Sequence, residues 1–186
     1  GIFFSFPLVL ATLTALAQQT DPDQLLKNAI AEQQQGDFQS AIRDYRTVLM
    51  LRPNMVEAKV NLGAALVRVG QFDEAITMYR SALPSLSAKD PVLMNLGLAY
   101  YKKGDFTNAR EQFEAVHKAE PTDARVAILL GDTYVRLKKP EAAVEILKPL
   151  EAANERNLDF QYVFGLALIS AGQRRAGVPH IEKVAQ

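Results

Sequence analysis

Small and large apolar residues recur along this chain with a period of 34 residues. Two series consist of small residues and one consists of large apolar residues. They are Ala29, Gly63, Gly97, Gly131 and Gly165; then Ala41, Ala75, Ala109, Ala143 and Gly177; then Tyr45, Tyr79, Phe113, Leu147 and Ile181. Because all three series keep one register over five copies, the pattern predicts an array of structural repeats.

Each copy has the pattern of two short helices. In the third copy, residues 93–100 and residues 109–116 each place apolar side chains on one face at helical spacing. Gly104 lies between them, and glycine suits the left-handed residue that ends a helix. One helical pair cannot bury its apolar face alone, so the pairs are expected to stack as an all-α solenoid. The turn glycines recur at Gly36, Gly70, Gly104 and Gly172, with Lys138 in the fourth place.

The combined motif resembles the tetratricopeptide repeat family. The third copy carries it as Leu93, Leu96-Gly97, Tyr100, Ala109, Phe113 and Pro121. The resemblance implies a right-handed α-solenoid of about five helix-turn-helix repeats over residues 18–186. These repeats are approximately 22–55, 56–89, 90–123, 124–157 and 158–186, the last of them truncated.

Prolines predict three local departures from the regular repeat. Pro84 should end the second helix of repeat two early, and Pro149 should kink the second helix of repeat four. In repeat five, Gly177 and Pro179 predict a second helix that starts late, near Pro179.

The N-terminal segment is not expected to be part of the solenoid. Residues 2–17 read IFFSFPLVLATLTALA, an uncharged run shorter than the roughly 20 residues of a membrane span. The run ends in small residues and is followed by polar ones, so we interpret residues 1–17 as signal peptide-like, with cleavage between Ala17 and Gln18. An uncleaved anchor and a buried segment are the alternatives. The interpretation predicts a bacterial protein exported to the periplasm or cell envelope, with membrane association only if the segment is retained.

Composition argues against several functional classes. Lys plus Arg and Asp plus Glu both total 21, and this zero net charge argues against nucleic-acid binding. The absence of Cys excludes disulfides, thiolate metal sites and a cysteine nucleophile. The two histidines, His117 and His180, lack the spacing of a helical zinc site, and no phosphate-binding loop or serine elbow occurs. The sequence therefore predicts no catalytic residue, metal, cofactor or small-molecule substrate.

The first helix of each repeat is the candidate binding element. The resemblance implies that these helices line a concave groove for peptides or helices. Asn61 and Asn95 recur at 34, and an Asn amide can both donate to and accept from a peptide backbone. Tyr101 and Tyr162 lie outside the repeated core positions and are expected to line a surface. The predicted groove residues are Val60, Asn61, Ala64, Arg68, Met94, Asn95, Leu98, Tyr101, Lys102, Arg125, Ile128, Asp132 and Arg136.

Basic residues also recur in these helices. Arg68, Lys102 and Arg136 form a series at 34, the basic stripe. They either contact a ligand or interact with the helix dipole at a helix C-terminus, and the sequence leaves both explanations open. A ligand-contacting stripe predicts an acidic or C-terminal partner segment.

The predicted function is a non-catalytic protein–protein interaction scaffold or adaptor of a bacterial envelope or exported complex. Its partner is expected to be a protein or peptide bound in the groove. One alternative is the repeat portion of a larger chain with a catalytic or anchoring domain beyond residue 186. Another is a membrane-tethered subunit that retains residues 1–17.

Overall fold

Ten α-helices make up most of the part of the chain that the structure describes. The computed structural model describes residues 21–185, so the signal-like segment and its Ala17–Gln18 cleavage site lie outside the described residues. No strand occurs between residues 21 and 185, and the fold is all-α. The helices are α1 (Pro22–Gln34), α2 (Phe38–Leu51), α3 (Val56–Arg68), α4 (Phe72–Ala82), α5 (Asp90–Lys103), α6 (Phe106–Ala119), α7 (Ala124–Arg136), α8 (Pro140–Leu147), α9 (Leu158–Ser170) and α10 (Arg174–Val184), with 3-10 turns at Leu83–Ser85, Lys148–Leu150 and Ala152–Asn154.

The helices pack as consecutive pairs in a solenoid. Each odd-numbered helix packs on the helix that follows it, and α2, α4, α6 and α8 each pack on the first helix of the next pair. Each predicted repeat window therefore contains one helical pair. The buried side chains come mainly from the repeated positions, such as Tyr45, Tyr79 and Phe113. This arrangement confirms the predicted fold.

The small residues in the first helices allow close approach of the paired helices. A Cβ atom on Gly97 would lie 2.5 Å from Cε1 of Phe113, and one on Gly63 would lie 2.7 Å from Cε1 of Tyr79. These distances are shorter than van der Waals contact, so a larger residue would force the two backbones apart. Glycine is thus a packing requirement in repeats two to five, whereas repeat one accommodates the buried Ala29 at the same position.

The turn inside each pair keeps one geometry in the four repeats that have glycine there and in the one that does not. Gly104 has a φ of 86°, and Lys138 at the corresponding place in repeat four has a φ of 57°. The backbone N–H of Lys139 donates to the carbonyl of Tyr134 at 2.9 Å, as the N–H of Asp105 does to Tyr100. Lys138 therefore takes a left-handed conformation that costs a side-chain-bearing residue about 1–2 kcal/mol.

The prolines act differently from the prediction in two of three cases. The early end of α4 at Ala82, next to Pro84, is confirmed. Pro149 does not kink its helix: α8 stops at Leu147 after eight residues and a 3-10 turn follows. Proline has no N–H to donate to the carbonyl four residues back, and its ring clashes with that carbonyl. The regular helix therefore ends before this site.

The prediction of a late final helix is wrong. Helix α10 begins at Arg174 and contains both Gly177 and Pro179. A Cβ atom on Gly177 would lie 2.7 Å from the carbonyl oxygen of Gly165, so the two backbones pack closely there. Pro179 is the sixth residue of the helix and removes a single backbone hydrogen bond. The close contact with α9 keeps the first turn of α10 in place despite that loss.

The segment that replaces the end of α8 is fixed by a buried polar network. The Gln161 amide nitrogen donates to the carbonyl of Asn154 at 3.0 Å, and its oxygen lies 2.7 Å from Nδ1 of His180. Gln161 is fully buried and His180 is nearly so, with its ring edge-on to Phe164. His180 is therefore a packing residue that joins α10 to α9. With α8 short, α7 packs directly against α9.

Candidate partner-binding groove

The predicted groove residues lie on the first helices, and most of them keep partial solvent access. The polar and apolar members with half-buried side chains are Val60, Asn61, Ala64, Met94, Asn95, Leu98, Tyr101, Ile128 and Asp132, and the exposed ones are Arg68, Lys102, Arg125 and Arg136. The side-chain amides of Asn61 and Asn95 make no hydrogen bond to another residue in the range 21–185. Both amides can therefore bond to a ligand without first breaking a bond to another described residue.

A cavity lies where α5, α7 and the start of α9 meet, and we name it the tyrosine cavity. Its volume is about 460 Å³. It brings together four of the predicted groove residues, Tyr162, which was expected to line a surface, and four others. The full lining is Tyr101, Arg125, Ile128, Leu129, Asp132, Asn157, Asp159, Tyr162 and Val163. The direct packing of α7 on α9 places lining residues of these two helices beside each other.

The 34-residue period also indicates lining residues that were not among the predicted groove residues. Asp159, Tyr162 and Val163 stand 34 residues after Arg125, Ile128 and Leu129. Applying the groove positions of repeat four to repeat five therefore identifies them. Asn157 is a different case, because it lies before α9 and its side chain accepts a hydrogen bond from the N–H of Phe160. Its role as a helix cap gives no sequence signal for a cavity wall.

Asp132 is the centre of a polar cluster at one wall of the cavity. The Tyr101 hydroxyl and Nε of Arg136 both donate to Oδ2 of Asp132, the second at 2.6 Å. Burial, with the hydrogen bond to Asp132, raises the pKa of Tyr101 to about 12, so its hydroxyl stays protonated and donates to Asp132 well above neutral pH. The bond to Asp132 likewise raises the pKa of Arg136. The cluster is internally paired and keeps the Tyr101 ring in place.

The basic stripe is partly engaged within the protein. The guanidinium of Arg68 lies 5.2 Å from the ring centre of Phe38, and that of Arg136 lies 5.3 Å from the ring of Phe106. Phenylalanine recurs at 38, 72 and 106, thirty residues before each basic residue, a signal that the sequence contains but that the sequence reasoning missed. Lys102 forms no ion pair with any residue that the structure describes. Cation–π stacking thus accounts for two of the three stripe positions.

A second, more polar cavity lies at the other end of the solenoid. Its volume is about 520 Å³, and it includes the predicted residues Ala64 and Arg68. Its lining is Gln33, Gln34, Gln35, Gly36, Phe38, Ala64 and Arg68. The remaining predicted residues, Val60, Asn61, Met94, Asn95, Leu98, Lys102 and Arg136, line neither cavity.

Two other kinds of site do not occur in the described residues. Between residues 21 and 185, no group of three or more His, Asp or Glu side chains is arranged to hold a metal ion. In the same range, no helix has both the length and the apolar character needed to cross a membrane.

Comparison with known proteins identifies the family. The sequence profile of the tetratricopeptide repeat matches residues 32–86 and 100–167, about two-thirds of the chain. The chain belongs to the tetratricopeptide repeat family. Its members are generally non-catalytic scaffolds, and the fold implies a role in protein–protein interaction. No curated protein sequence matches this chain significantly.

Solved structures share the fold over most of the chain. A crystal structure of MamA protein has a TM-score of 0.78 at 21% identity, covering 88% of this chain and 89% of its own. The MamA RS-1 ArsTM double mutant has a TM-score of 0.80 at 22% identity, covering 89% and 93%. A tetratricopeptide repeat protein from Parabacteroides merdae has a TM-score of 0.74 at 16% identity, covering 95% and 69%. At these identities the similarity establishes the fold alone.

Proposed function

We propose that this tetratricopeptide repeat protein is a non-catalytic scaffold that binds a segment of a partner protein along the open side of its first helices. The observation that carries the proposal is the tyrosine cavity, an open site formed by three successive first helices. Met94 and Leu98 are half-buried apolar side chains on α5, the same first helix as Tyr101. Asn61 and Asn95, whose amides have no described partner, provide hydrogen-bonding groups for a peptide backbone.

Site-specific photocrosslinking tests where a partner binds. A photoreactive phenylalanine analogue is placed at Leu98 or Tyr162 on the first helices, and at Thr77 or Ala115 on exposed faces of the second helices. After irradiation in envelope extract, adducts should form from positions 98 and 162 with the same protein, identified by mass spectrometry. Adducts that form only from positions 77 and 115 would show that the partner uses the second helices.

Paired substitutions separate backbone recognition from charge. Losing a hydrogen bond to a buried peptide group costs about 1–3 kcal/mol, so Asn61→Ala with Asn95→Ala should weaken partner binding at any ionic strength. Losing an exposed charge costs about 0–1 kcal/mol and is screened by salt, so Arg68→Ala with Lys102→Ala should matter mainly at low salt. Calorimetry with the partner that crosslinking identifies, at 50 and 500 mM salt, measures the affinity of each double variant. Unchanged affinity in both double variants would show that the partner binds another surface of the protein.

The proposal includes export to a bacterial envelope, with residues 1–17 removed. The support is the uncharged apolar run and the small residues before Gln18. Intact mass of the protein recovered from its native cells tests this, since a chain that begins at Gln18 is expected. A mass that includes residues 1–17 would instead favour the membrane-tethered alternative.

A further inference from the structure

We infer that the tyrosine cavity binds a basic side chain, an arginine or lysine of the partner segment. This inference rests on the proposed function, because it specifies the partner of the same groove. It differs from the acidic partner that the basic stripe predicts. The charges, the aromatic rings and the aliphatic surface of the cavity support this inference, each in its own way.

Within residues 21–185, the one cation that lines the cavity, Arg125, is already paired, and so is Asp132, whereas the other carboxylate of the lining is not. Nε and Nη2 of Arg125 donate to the two carboxylate oxygens of Asp123 at 3.2 and 2.7 Å. Arg136 donates to Asp132, as described above. Asp159 is exposed at the start of α9 and forms no ion pair with a residue of the described range 21–185. The lining therefore has one uncompensated negative charge, and a basic side chain is its electrostatic complement.

The walls of the cavity suit the rest of such a side chain. Tyr101 and Tyr162 contribute aromatic rings, and the faces of such rings attract cations. Tyr162 remains 49% exposed, so its ring is available to a ligand. Ile128, Leu129 and Val163 supply an aliphatic surface for the methylene stem of an arginine or lysine. An acidic side chain would be repelled by Asp159, and the guanidinium of Arg125 is already paired with Asp123.

Short peptides test the inference without the natural partner. Three capped pentapeptides, with Arg, Glu or Leu at the centre of a glycine chain, are titrated into isotope-labelled protein and followed by NMR. The Arg peptide should cause saturable shifts at residues 125–132 and 157–163, weakened by high salt. Asp159→Asn should weaken this binding about threefold to fivefold, the upper part of the range of an exposed ion pair.

A matched control isolates the cavity carboxylate. Glu57 occupies the same repeat position as Asp159, three repeats earlier, and is also exposed in the first turn of its helix. Glu57→Gln removes the same charge from the protein as Asp159→Asn and should leave the Arg-peptide affinity unchanged. Equal loss in the two variants, or equal binding of the Glu or Leu peptide, would overturn the inference.

The two proposals fail in different ways. If the natural partner crosslinks at position 162 but binds the Asp159→Asn variant as tightly as the unaltered protein, the basic-side-chain inference is wrong and the groove proposal stands. If the partner crosslinks only from the second helices, the groove proposal is wrong. The peptide titration then decides by itself whether the cavity binds a cation.

Discussion

The close contact between Gly97 and Phe113 gives the most direct test of the packing. A Cβ atom at position 97 would lie 2.5, 2.8 and 3.1 Å from three atoms of the Phe113 ring, and this ring is fully buried. Gly97→Ala gains about 1 kcal/mol of helix propensity, which offsets part of an overpacking cost of about 1–3 kcal/mol and leaves a net loss of about 0–2 kcal/mol. Gly97→Leu adds further atoms to the same space, so we expect it to lower the free energy of unfolding by about 2–4 kcal/mol.

A denaturant titration followed by circular dichroism measures this loss, with Ala115→Leu as the control. Ala115 is exposed on α6, so its replacement should change the free energy of unfolding by no more than about 0.5 kcal/mol. Hydrogen exchange should locate the loss first in α5 and α6, because each repeat contacts only its neighbours. Equal costs for Gly97→Leu and Ala115→Leu would refute the idea that glycine is needed for helix contact.

Two further predictions concern a turn and a titrating group. Lys138→Gly should raise the free energy of unfolding by about 1 kcal/mol, because glycine adopts the left-handed conformation without the side-chain penalty; thermal denaturation measures the gain. Burial lowers the pKa of His117, so the unfolded chain binds a proton first as the pH falls. The stability present above about pH 6.5 is therefore lost as the pH falls through the folded-state pKa, and His117→Gln should reduce that loss in titrations at pH 7.5 and 5.

The repeated positions could be predicted from the sequence because each one performs the same local task in every copy. Glycine at 63 and 97 packs against an aromatic ring, and glycine at 36, 70, 104 and 172 adopts a positive φ. These tasks depend on residues within one helical pair, so a 34-residue period records them. Lys138 shows that the geometry of the pair can be kept even where the residue type departs from the series.

The two wrong predictions of helix geometry, at Pro149 and Pro179, concern sites where the effect of proline competes with packing. At Pro149 the regular helix is interrupted: α8 ends at Leu147 and a 3-10 turn follows. At Pro179 the backbone contact between Gly165 and Gly177 offsets the lost hydrogen bond, and α10 continues. Local propensity alone cannot separate the two cases, because the deciding contact joins residues 12 positions apart on different helices. The bond from Tyr101 to Asp132 was missed for the same reason, because it joins residues 31 positions apart on α5 and α7.

The candidate site depends on one of these departures. In repeats one to three, the second helix of each pair runs for eleven or more residues and packs on the next first helix. In repeat four, α8 has eight residues, and α7 comes into direct contact with α9. Ile128 and Leu129 of α7 and Val163 of α9 thereby line the same cavity as Tyr101 and Tyr162. The regular period thus builds the scaffold, and its interruption at Pro149 brings two first helices together to form the cavity for which we propose a basic ligand.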